Sequence, residues 1–383
     1  MWNGRENERT RSSHSALPGI AAGCGIVLAL LATVWTVPVA SPVSSSVLRD
    51  LGSYLDALAA DDQFSGAVLV AHEGKAVFEK AYGLADRASG AANTLDTRFE
   101  IASMGKMFTG VAILQLVEQG TLRLNARLSE VLPDYPNQEV ARRVTIHQLL
   151  THTAGVADWM ACPDYMDLRM ALRSVADYVP LFINQPLEFT PGSQYSYSNS
   201  GYILLGLVIE KICGCDYYDY VGEHIFEPSG MRNTGSFTLD ALPPNTALGY
   251  TTLNENLERT TDWRDNTFVL PERGASDGGG YSTVHDLLAF SQALLANRLL
   301  SPTNTKLLLK GKVQTEDETR WYAYGFQDKT LNGQRVVGHG GSFPGVNSFL
   351  DMYVDTGYVV IVLTNRDSGV VVVRDFLASH PLY

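Results

Sequence analysis

The spacing of apolar residues divides the chain into three stretches of different character. Residues 47–59 carry apolar side chains at helical spacing, which predicts an amphipathic helix. Two β-prone runs, 66–71 and 75–82, flank His72-Glu73-Gly74 and predict a hairpin, and a short strand follows over 97–100. The first third is therefore predicted to form an N-terminal helix followed by strands.

The middle third changes to helical segments joined by loops. A helix that begins near Ser103 continues to a stop at Gly120, a residue type that commonly ends helices. Residues 144–150 predict a second helix running into Thr151-His152-Thr153-Ala154-Gly155, and residues 201–213 predict a third.

The last third returns to strands after Gly278-Gly279-Gly280 and a helix that starts near Ser282. Residues 370–377 predict a closing helix. Between these helices the pattern predicts four strands, over 321–326, 334–339, 348–354 and 358–364. The turns between the strands are short, which favours an antiparallel sheet.

This order predicts an α+β fold in which an antiparallel sheet, flanked by helices, is shared by the two ends of the chain and interrupted by a mainly helical inserted lobe. The predicted catalytic domain covers residues 47–370. Its sheet lobe comes from about 47–100 and 275–370, and its helical lobe from about 101–274. Residues 371–383 are predicted as a C-terminal helix and tail.

Residues 1–46 predict export of the remainder of the chain. An apolar run over 19–37 follows a polar segment with three arginines, and no Lys or Arg reappears before Arg49. This asymmetry predicts a cytoplasmic N-terminal tail and a periplasmic or extracellular domain. The run fits either a cleaved signal or a retained membrane anchor, followed by a linker.

Charge and cysteine content narrow the function classes further. The net charge of −12, without a dense Lys/Arg cluster, argues against nucleic acid as a partner. Outside the leader, Cys162, Cys213 and Cys215 allow one disulfide and one free thiol. Cys213 and Cys215 are expected to be too close for an easy bridge, and they have no second pair to form a zinc site. We therefore predict no metal and no organic cofactor.

Ser103-Met104-Gly105-Lys106 is the first stretch with candidate chemistry. Residues three apart share one helix face, so the Lys106 amine is predicted to reach the Ser103 hydroxyl and take its proton. The start of a helix also directs free N–H groups towards a forming alkoxide.

Two later segments would complete this site. Tyr197 and Asn199 point the same way in an extended segment, so they offer a proton relay and an amide contact. His339-Gly340-Gly341-Ser342 ends a predicted strand whose glycines admit a substrate, with the Ser342 N–H as an oxyanion donor and His339 as a polar or cationic side chain.

Two other residues are competing candidates. His152 could act as a base, although a histidine at a helix end more often caps or packs. Ser276 lies in a G-x-S-x-G sequence, the nucleophile elbow of α/β-hydrolases, where it could combine with His339. Pro271 before it and the glycines after it disfavour the strand–turn–helix that such an elbow needs.

The three motifs together resemble those of a known family. Ser103-Met104-Gly105-Lys106, Tyr197-Ser198-Asn199 and His339-Gly340-Gly341 occur in the order found in serine β-lactamases and penicillin-binding proteins. The likeness is strongest to the branch of class C β-lactamases, D-Ala-D-Ala carboxypeptidases and esterases, and it covers about residues 47–365.

The resemblance implies a role for each residue. Ser103 would be the acylated nucleophile, Lys106 its proton acceptor, and Tyr197 the general acid–base. Asn199 would bind the substrate's amide or carbonyl. The backbone N–H groups of Ser103 and Ser342 would form the oxyanion hole.

The departures from the family pattern bear on the substrate. His339 stands where many relatives carry lysine, and Gly340-Gly341 where they carry threonine-glycine, which weakens carboxylate recognition. The sequence thus predicts an exported serine hydrolase acting on a small-molecule or peptide substrate: an ester, an amide or a D-amino-acid peptide. A true β-lactamase and a non-catalytic penicillin-binding or sensor module are the alternatives, and the oligomeric state stays open.

Overall fold

The hairpin and the late strands pair in one antiparallel sheet, as the apolar spacing predicts. The computed structural model describes residues 45–382, so the leader and its apolar run lie outside the described residues. The strands are β1 Gly66–His72, β2 Lys75–Tyr82, β3 Leu84–Asp86, β4 Ala91–Ala92, β5 Phe99–Glu100, β6 Tyr250–Leu253, β7 Arg259–Asp265, β8 Tyr281–Ser282, β9 Val313–Gln314, β10 Arg320–Tyr322, β11 Gln327–Leu331, β12 Gln334–Phe343, β13 Val346–Tyr353 and β14 Tyr358–Thr364.

The helices cover both faces of this sheet and fill the middle of the chain. They are α1 Ser45–Ala60, α2 Lys106–Glu118, α3 Leu128–Val131, α4 Gln138–Arg143, α5 Ile146–Leu150, α6 Tyr165–Leu168, α7 Asn199–Cys213, α8 Tyr217–Val221, α9 Glu227–Ser229, α10 Val284–Leu295, α11 Pro302–Leu309 and α12 Gly369–Ser379. Between residues 45 and 382, none of them has the length and hydrophobicity needed to cross a membrane.

Within residues 45–382 the main sheet has eight strands in the order β2-β1-β14-β13-β12-β11-β10-β9. Every neighbouring pair is antiparallel, and β1 pairs with β14 along its whole length. The first and last thirds of the chain therefore share one sheet, with the helical segments between them. The predicted α+β fold with an antiparallel sheet is confirmed.

Two apolar cores lie on opposite faces of the sheet. On one face α1 and α12 pack on alternate residues of the central strands, including Val68, Val336 and Val360. The opposite face carries the larger core, where Leu69, Leu350 and the helices of the middle third meet. Because successive side chains of a strand point to opposite faces, strands buried on both sides read as continuous apolar runs.

The predicted strand over 321–326 is wrong in its second half. The strand ends at Tyr322, and a turn closed by the Ala323 N–H bond to the Phe326 carbonyl (2.7 Å) leads into β11, which the pattern missed. Gly325 adopts a positive φ of 80°, and a Cβ at this position would lie only 2.3 Å from the Lys106 carbonyl oxygen. The turn thus packs against the start of α2, a tertiary contact that local spacing does not encode.

The cysteines also differ from expectation. Cys213 and Cys215 form a disulfide across a single glycine, so the expectation that they stand too close to bridge is wrong. Gly214 between them takes a left-handed conformation (φ 68°) that ends α7 and turns the chain back. Cys162 is a free thiol.

A buried ion pair lies in the sheet close to the strand that carries His339. Lys329 of β11 donates to both carboxylate oxygens of Asp351 on β13, at 2.8 and 2.9 Å, and both side chains are less than 5% exposed. Removing one partner of such a pair lowers the free energy of unfolding, because the other charge is left buried and unpaired.

Candidate active site

Ser103 lies on a single 3₁₀ turn, Ala102–Gly105, that leads directly into α2; we refer to it as the nucleophile turn. Two glycines allow neighbouring backbone to close on it. A Cβ on Gly341 of β12 would lie 2.1 Å from the Ile101 carbonyl oxygen, and one on Gly278 would lie 2.5 Å from the Ala102 carbonyl oxygen. Because these two positions have no side chain, the backbone of β12 and the backbone around Gly278 can both pack against the nucleophile turn.

Lys106 lies one turn after Ser103, as the spacing predicts, and is fully buried. Its Nζ is 3.2 Å from Ser103 Oγ, 2.7 Å from Asn199 Oδ1 and 2.6 Å from the Asp277 carbonyl oxygen. A neutral amine has two N–H donors and one lone pair. The three oxygens accept from the ammonium, and after Lys106 loses a proton the two N–H donors that remain can hold Asn199 and the Asp277 carbonyl while the lone pair accepts the Ser103 proton.

Burial supplies the electrostatic condition for that role. It lowers the Lys106 pKa from 10.5 to about 8, while the nearby charges of Asp277 and Asp158 act in the opposite direction. Since desolvation penalises the charged form, the buried ammonium gives up its proton far more readily than a surface lysine does.

Tyr197 lies against the nucleophile. It lines the same cavity as Ser103, and the Lys106 Nζ lies 4.8 Å from the centre of its ring. Burial raises the Tyr197 pKa well above the usual value, so at rest the group is a neutral phenol. It is therefore placed to donate a proton rather than to act as a resting phenolate.

Asn199 is the first residue of α7, which Ser198 caps by accepting from the Gly201 N–H. Its amide Oδ1 accepts from Lys106 Nζ, while its Nδ2 donates to Asp158 Oδ2 at 3.0 Å and contacts Met160 Sδ at 3.2 Å. Met160 is 48% exposed and covers this amide. A substrate contact to Asn199, as the resemblance implies, requires Met160 to move aside.

The edge of β12 beside Ser103 is open. The neighbouring strand β11 pairs with β12 only as far as Gly338, so within the described chain Gly340, Gly341 and Ser342 have no strand partner on that side. These residues line one cavity with Ser103 and Tyr197. An extended substrate can lie along this edge, and the oxyanion role of the Ser103 and Ser342 N–H groups stays a prediction.

His339 has a different character from the one its sequence suggests. Its Nε2 accepts from the Tyr322 hydroxyl at 3.0 Å, and its Nδ1 donates to the Gly340 carbonyl oxygen at 2.6 Å. Burial, reinforced by the Lys106 charge, lowers the His339 pKa to about 3. His339 is thus a neutral, 3% exposed imidazole rather than a cation, and because it lines the same cavity as Ser103 its role towards the substrate stays a prediction.

His152 supports the tyrosine. It adopts a left-handed φ of 57°, accepts the Ser198 N–H on Nδ1 at 3.1 Å, and lies 4.2 Å from the Tyr197 ring centre. Burial lowers its pKa well below the usual value. These contacts make it a neutral packing residue behind Tyr197.

Ser276 does not form a nucleophile elbow. It is fully buried, and its Oγ donates to the Tyr202 carbonyl oxygen at 2.8 Å. The sheet is antiparallel where an α/β-hydrolase needs parallel strands. The α/β-hydrolase alternative is wrong.

Several charged groups that line the two cavities next to Ser103 were not indicated by any sequence motif. Arg320 and Arg374 line the one along the β12 edge. Glu100 and Asp277 line the second. Asp277 precedes the glycine triplet, which offered a weak signal, whereas Arg374 lies in a mostly apolar helix without any motif. Over residues 45–382 no group of three or more His, Cys, Asp or Glu is placed to hold a metal ion.

Ser103 and Lys106 on one turn, beside an open strand edge of a large antiparallel sheet, place the protein among serine hydrolases of the β-lactamase and penicillin-binding-protein fold. The Beta-lactamase family profile matches residues 52–379, and the chain belongs to that family.

Individual relatives agree with this assignment. Penicillin-binding protein 4* of Bacillus subtilis is 30% identical over 336 residues, which cover 83% of this chain and 72% of that protein. The crystal structure of a penicillin-binding protein from Bacillus halodurans is 38% identical, with a TM-score of 0.76, covering 85% of this chain and 97% of that one. A D-stereospecific amidohydrolase from Streptomyces sp. is 26% identical, with a TM-score of 0.71, covering 85% and 95%.

Proposed function

We propose that this protein is an exported serine hydrolase that forms an acyl-enzyme on Ser103 and acts on an ester, an amide or a D-amino-acid peptide. The observation that carries the proposal is the hydrogen-bond set of Lys106. Lys106 Nζ lies within hydrogen-bond distance of Asn199 Oδ1, the Asp277 carbonyl and Ser103 Oγ, so once the ammonium has lost one proton its two remaining N–H groups serve the first two and its lone pair is free for the Ser103 hydroxyl.

The proposed acylation step follows from these contacts. Lys106 takes the Ser103 proton as Oγ attacks the substrate carbonyl, and the N–H groups of Ser103 and Ser342 bind the resulting oxyanion. Tyr197 then donates its proton to the leaving group as the bond to the acyl carbon breaks, and Lys106 returns a proton to Tyr197.

Deacylation reverses the roles. Tyr197 and Lys106 remove a proton from a water molecule as its oxygen adds to the acyl carbon. The bond to Ser103 Oγ breaks, and Oγ regains its proton from Lys106. The net reaction consumes one water and releases an acid and the protonated leaving group.

The leaving group is proposed to be anionic. The cavity that contains Tyr197, the proposed proton donor, also contains Arg320 and Arg374. Arg374 Nη2 lies 3.7 Å from the position that a Cβ on Gly340 would occupy, so the glycine gives the guanidinium access to the strand edge. Arginine pairs well with a carboxylate, which suits a peptide that ends in a free carboxyl group.

The comparisons support the same substrate range. The similar proteins include penicillin-binding proteins and a D-stereospecific amidohydrolase. Export rests on the sequence of residues 1–46, where the run over 19–37 is proposed to act as a signal or a membrane anchor.

Mass spectrometry of the protein mixed with benzylpenicillin, D-Ala-D-Ala peptides and short-chain esters tests the proposal. We expect an acyl adduct on Ser103 that turns over with a D-amino peptide or an ester, and none with Ser103→Ala. Rapid turnover of benzylpenicillin would instead identify a β-lactamase. A stable penicillin adduct without turnover of any compound would identify a binding or sensor module.

A further inference from the structure

Two cavities meet at Ser103, and they differ in charge. One, the leaving-group pocket, is the cavity along the β12 edge that holds Tyr197, Arg320 and Arg374. The other, the acyl pocket, shares Ser103 and Ser342 with it but contains Asn199, Glu100 and Asp277.

Their positions follow from the proposed chemistry. The leaving group must lie where Tyr197 can protonate it, and Tyr197 lines only the leaving-group pocket of the two. The acyl group must then extend into the other cavity, beyond the shared Ser103.

The acyl pocket is lined by two carboxyl groups and by no Lys or Arg among the described residues. Asp277 is 6% exposed and accepts from Trp159 Nε1 at 2.9 Å. Glu100 Oε2 is buried and has no hydrogen-bond partner within residues 45–382. Tyr178 lines the same pocket as both carboxyl groups.

Buried carboxyls with little counter-charge are energetically unfavourable. Lys106 is the cation that acts on Asp277, and its charge is lost when the amine acts as the base, while Glu100 has no cation beside it in the described part of the chain. Burial raises the pKa of Glu100 to about 8 and that of Asp277 to about 6. A cation that enters the pocket would recover the lost solvation and favour the ionised carboxylates.

The pocket is small. Its volume is about 50 Å³, bounded by aromatic side chains that include Trp159, Tyr178 and Phe343. One water-sized group needs roughly 10–15 Å³ on this measure, so the pocket holds only about four such groups. An α-carbon, a methyl group and an ammonium fill most of it.

We propose that the acyl pocket selects small α-aminoacyl groups with a free ammonium, such as alanyl, and that Glu100 and Asp277 provide the counter-charge. This inference rests on the proposed function, because it assumes acyl transfer to Ser103. Together with the arginines opposite, it assigns a substrate that is cationic on its acyl side and anionic on its leaving side.

A pair of substrates with one leaving group tests the inference. D-Alanyl-4-nitroanilide and propionyl-4-nitroanilide differ only in the ammonium. We expect kcat/KM for the D-alanyl compound to exceed that for the propionyl compound by about tenfold or more, the size of a hydrogen bond to a charged group. N-acetyl-D-alanyl-4-nitroanilide, which is neutral and larger, should be as poor as the propionyl compound.

Glu100→Gln keeps the shape of the side chain and removes its charge. We expect the D-alanyl to propionyl ratio to fall by about tenfold, and Asp277→Asn to lower it independently. Glu139→Gln, at an exposed pair with Arg143 on α4, is the matched control and should keep the wild-type ratio.

The outcomes separate the two proposals. If propionyl-4-nitroanilide acylates Ser103 at least as fast as the D-alanyl compound, the ammonium preference is overturned and the hydrolase proposal stands. An unchanged ratio in both Glu100→Gln and Asp277→Asn would remove their assigned role. If no compound acylates Ser103, the proposed function itself fails.

Discussion

The protonation of Lys106 sets the pH range of the proposed acylation. Burial lowers its pKa from 10.5 to about 8. At pH 7 such a group is neutral in roughly one molecule in ten, whereas a lysine of pKa 10.5 is neutral in ~0.03%. The reactive fraction therefore rises about 300-fold through burial alone. Because the neutral amine is the base, the acylation rate should increase with pH and level off above about 8.

Asp277→Asn perturbs this profile in a direction that the structure determines. Burial raises the Asp277 pKa to about 6, so the carboxylate is ionised at pH 8, where it favours the charged form of Lys106. Removing that charge lowers the Lys106 pKa, and an opposite charge nearby typically shifts a pKa by about one unit or more. The rise of the acylation rate with pH should therefore occur at lower pH in Asp277→Asn than in the wild type. Asparagine keeps the backbone carbonyl that Lys106 binds.

The assay is the rate of Ser103 labelling by a neutral aryl phosphonate, measured from pH 5 to pH 10. A neutral probe leaves the ammonium preference of the acyl pocket out of the measurement. Asp56→Asn, which alters an exposed ion pair with Lys80, is the control and should keep the wild-type midpoint. If the midpoint of the rise in labelling rate stays in place or moves to higher pH in Asp277→Asn, Lys106 is refuted as the base.

Three further changes test the site and its support. Tyr197→Phe should slow turnover of a D-amino peptide by about 100-fold or more, because the proton donor to the leaving group is lost, while Tyr195→Phe, nearby in sequence, should be mild. Gly341→Ala should cut phosphonate labelling by about 100-fold, since its Cβ displaces the nucleophile turn, whereas Gly222→Ala, with open space around its Cβ, should leave labelling intact. Asp351→Asn should lower the free energy of unfolding in urea by about 3–5 kcal/mol, because its buried lysine partner is left unpaired; a loss below about 1 kcal/mol would show that the pair is dispensable.

Apolar spacing was sufficient for most of the fold because the sheet is long and regular. The strands β12, β13 and β14, and the helices α7 and α12, begin or end within a few residues of the predicted positions, apart from the four-residue extension of β12 past His339. The spacing failed at residues 323–326, where the turn is stabilised by the start of α2 rather than by its own sequence.

The site residues fall into two groups for the same reason. Ser103 and Lys106 were predictable because one helical turn fixes their distance. The charge of His339 was not, since it depends on burial in the assembled fold and on the nearby Lys106 charge, which together lower its pKa. Glu100 and Asp277 were missed because tertiary packing alone brings them into one cavity.

The resemblance implied a lysine and a threonine where this chain has His339 and Gly340, and the structure places a different cation, Arg374, beside Gly340. His339 lines the cavity beside Ser103, but burial and the Lys106 charge lower its pKa and keep it neutral. Arg374, stacked 4.4 Å above the Phe349 ring, places a guanidinium next to Gly340 instead. A threonine at position 340 would bring its side chain within about 4 Å of that guanidinium. The glycine and the arginine therefore form a compatible pair, and under the proposed function the positive charge for an anionic leaving group would come from the C-terminal helix rather than from the strand.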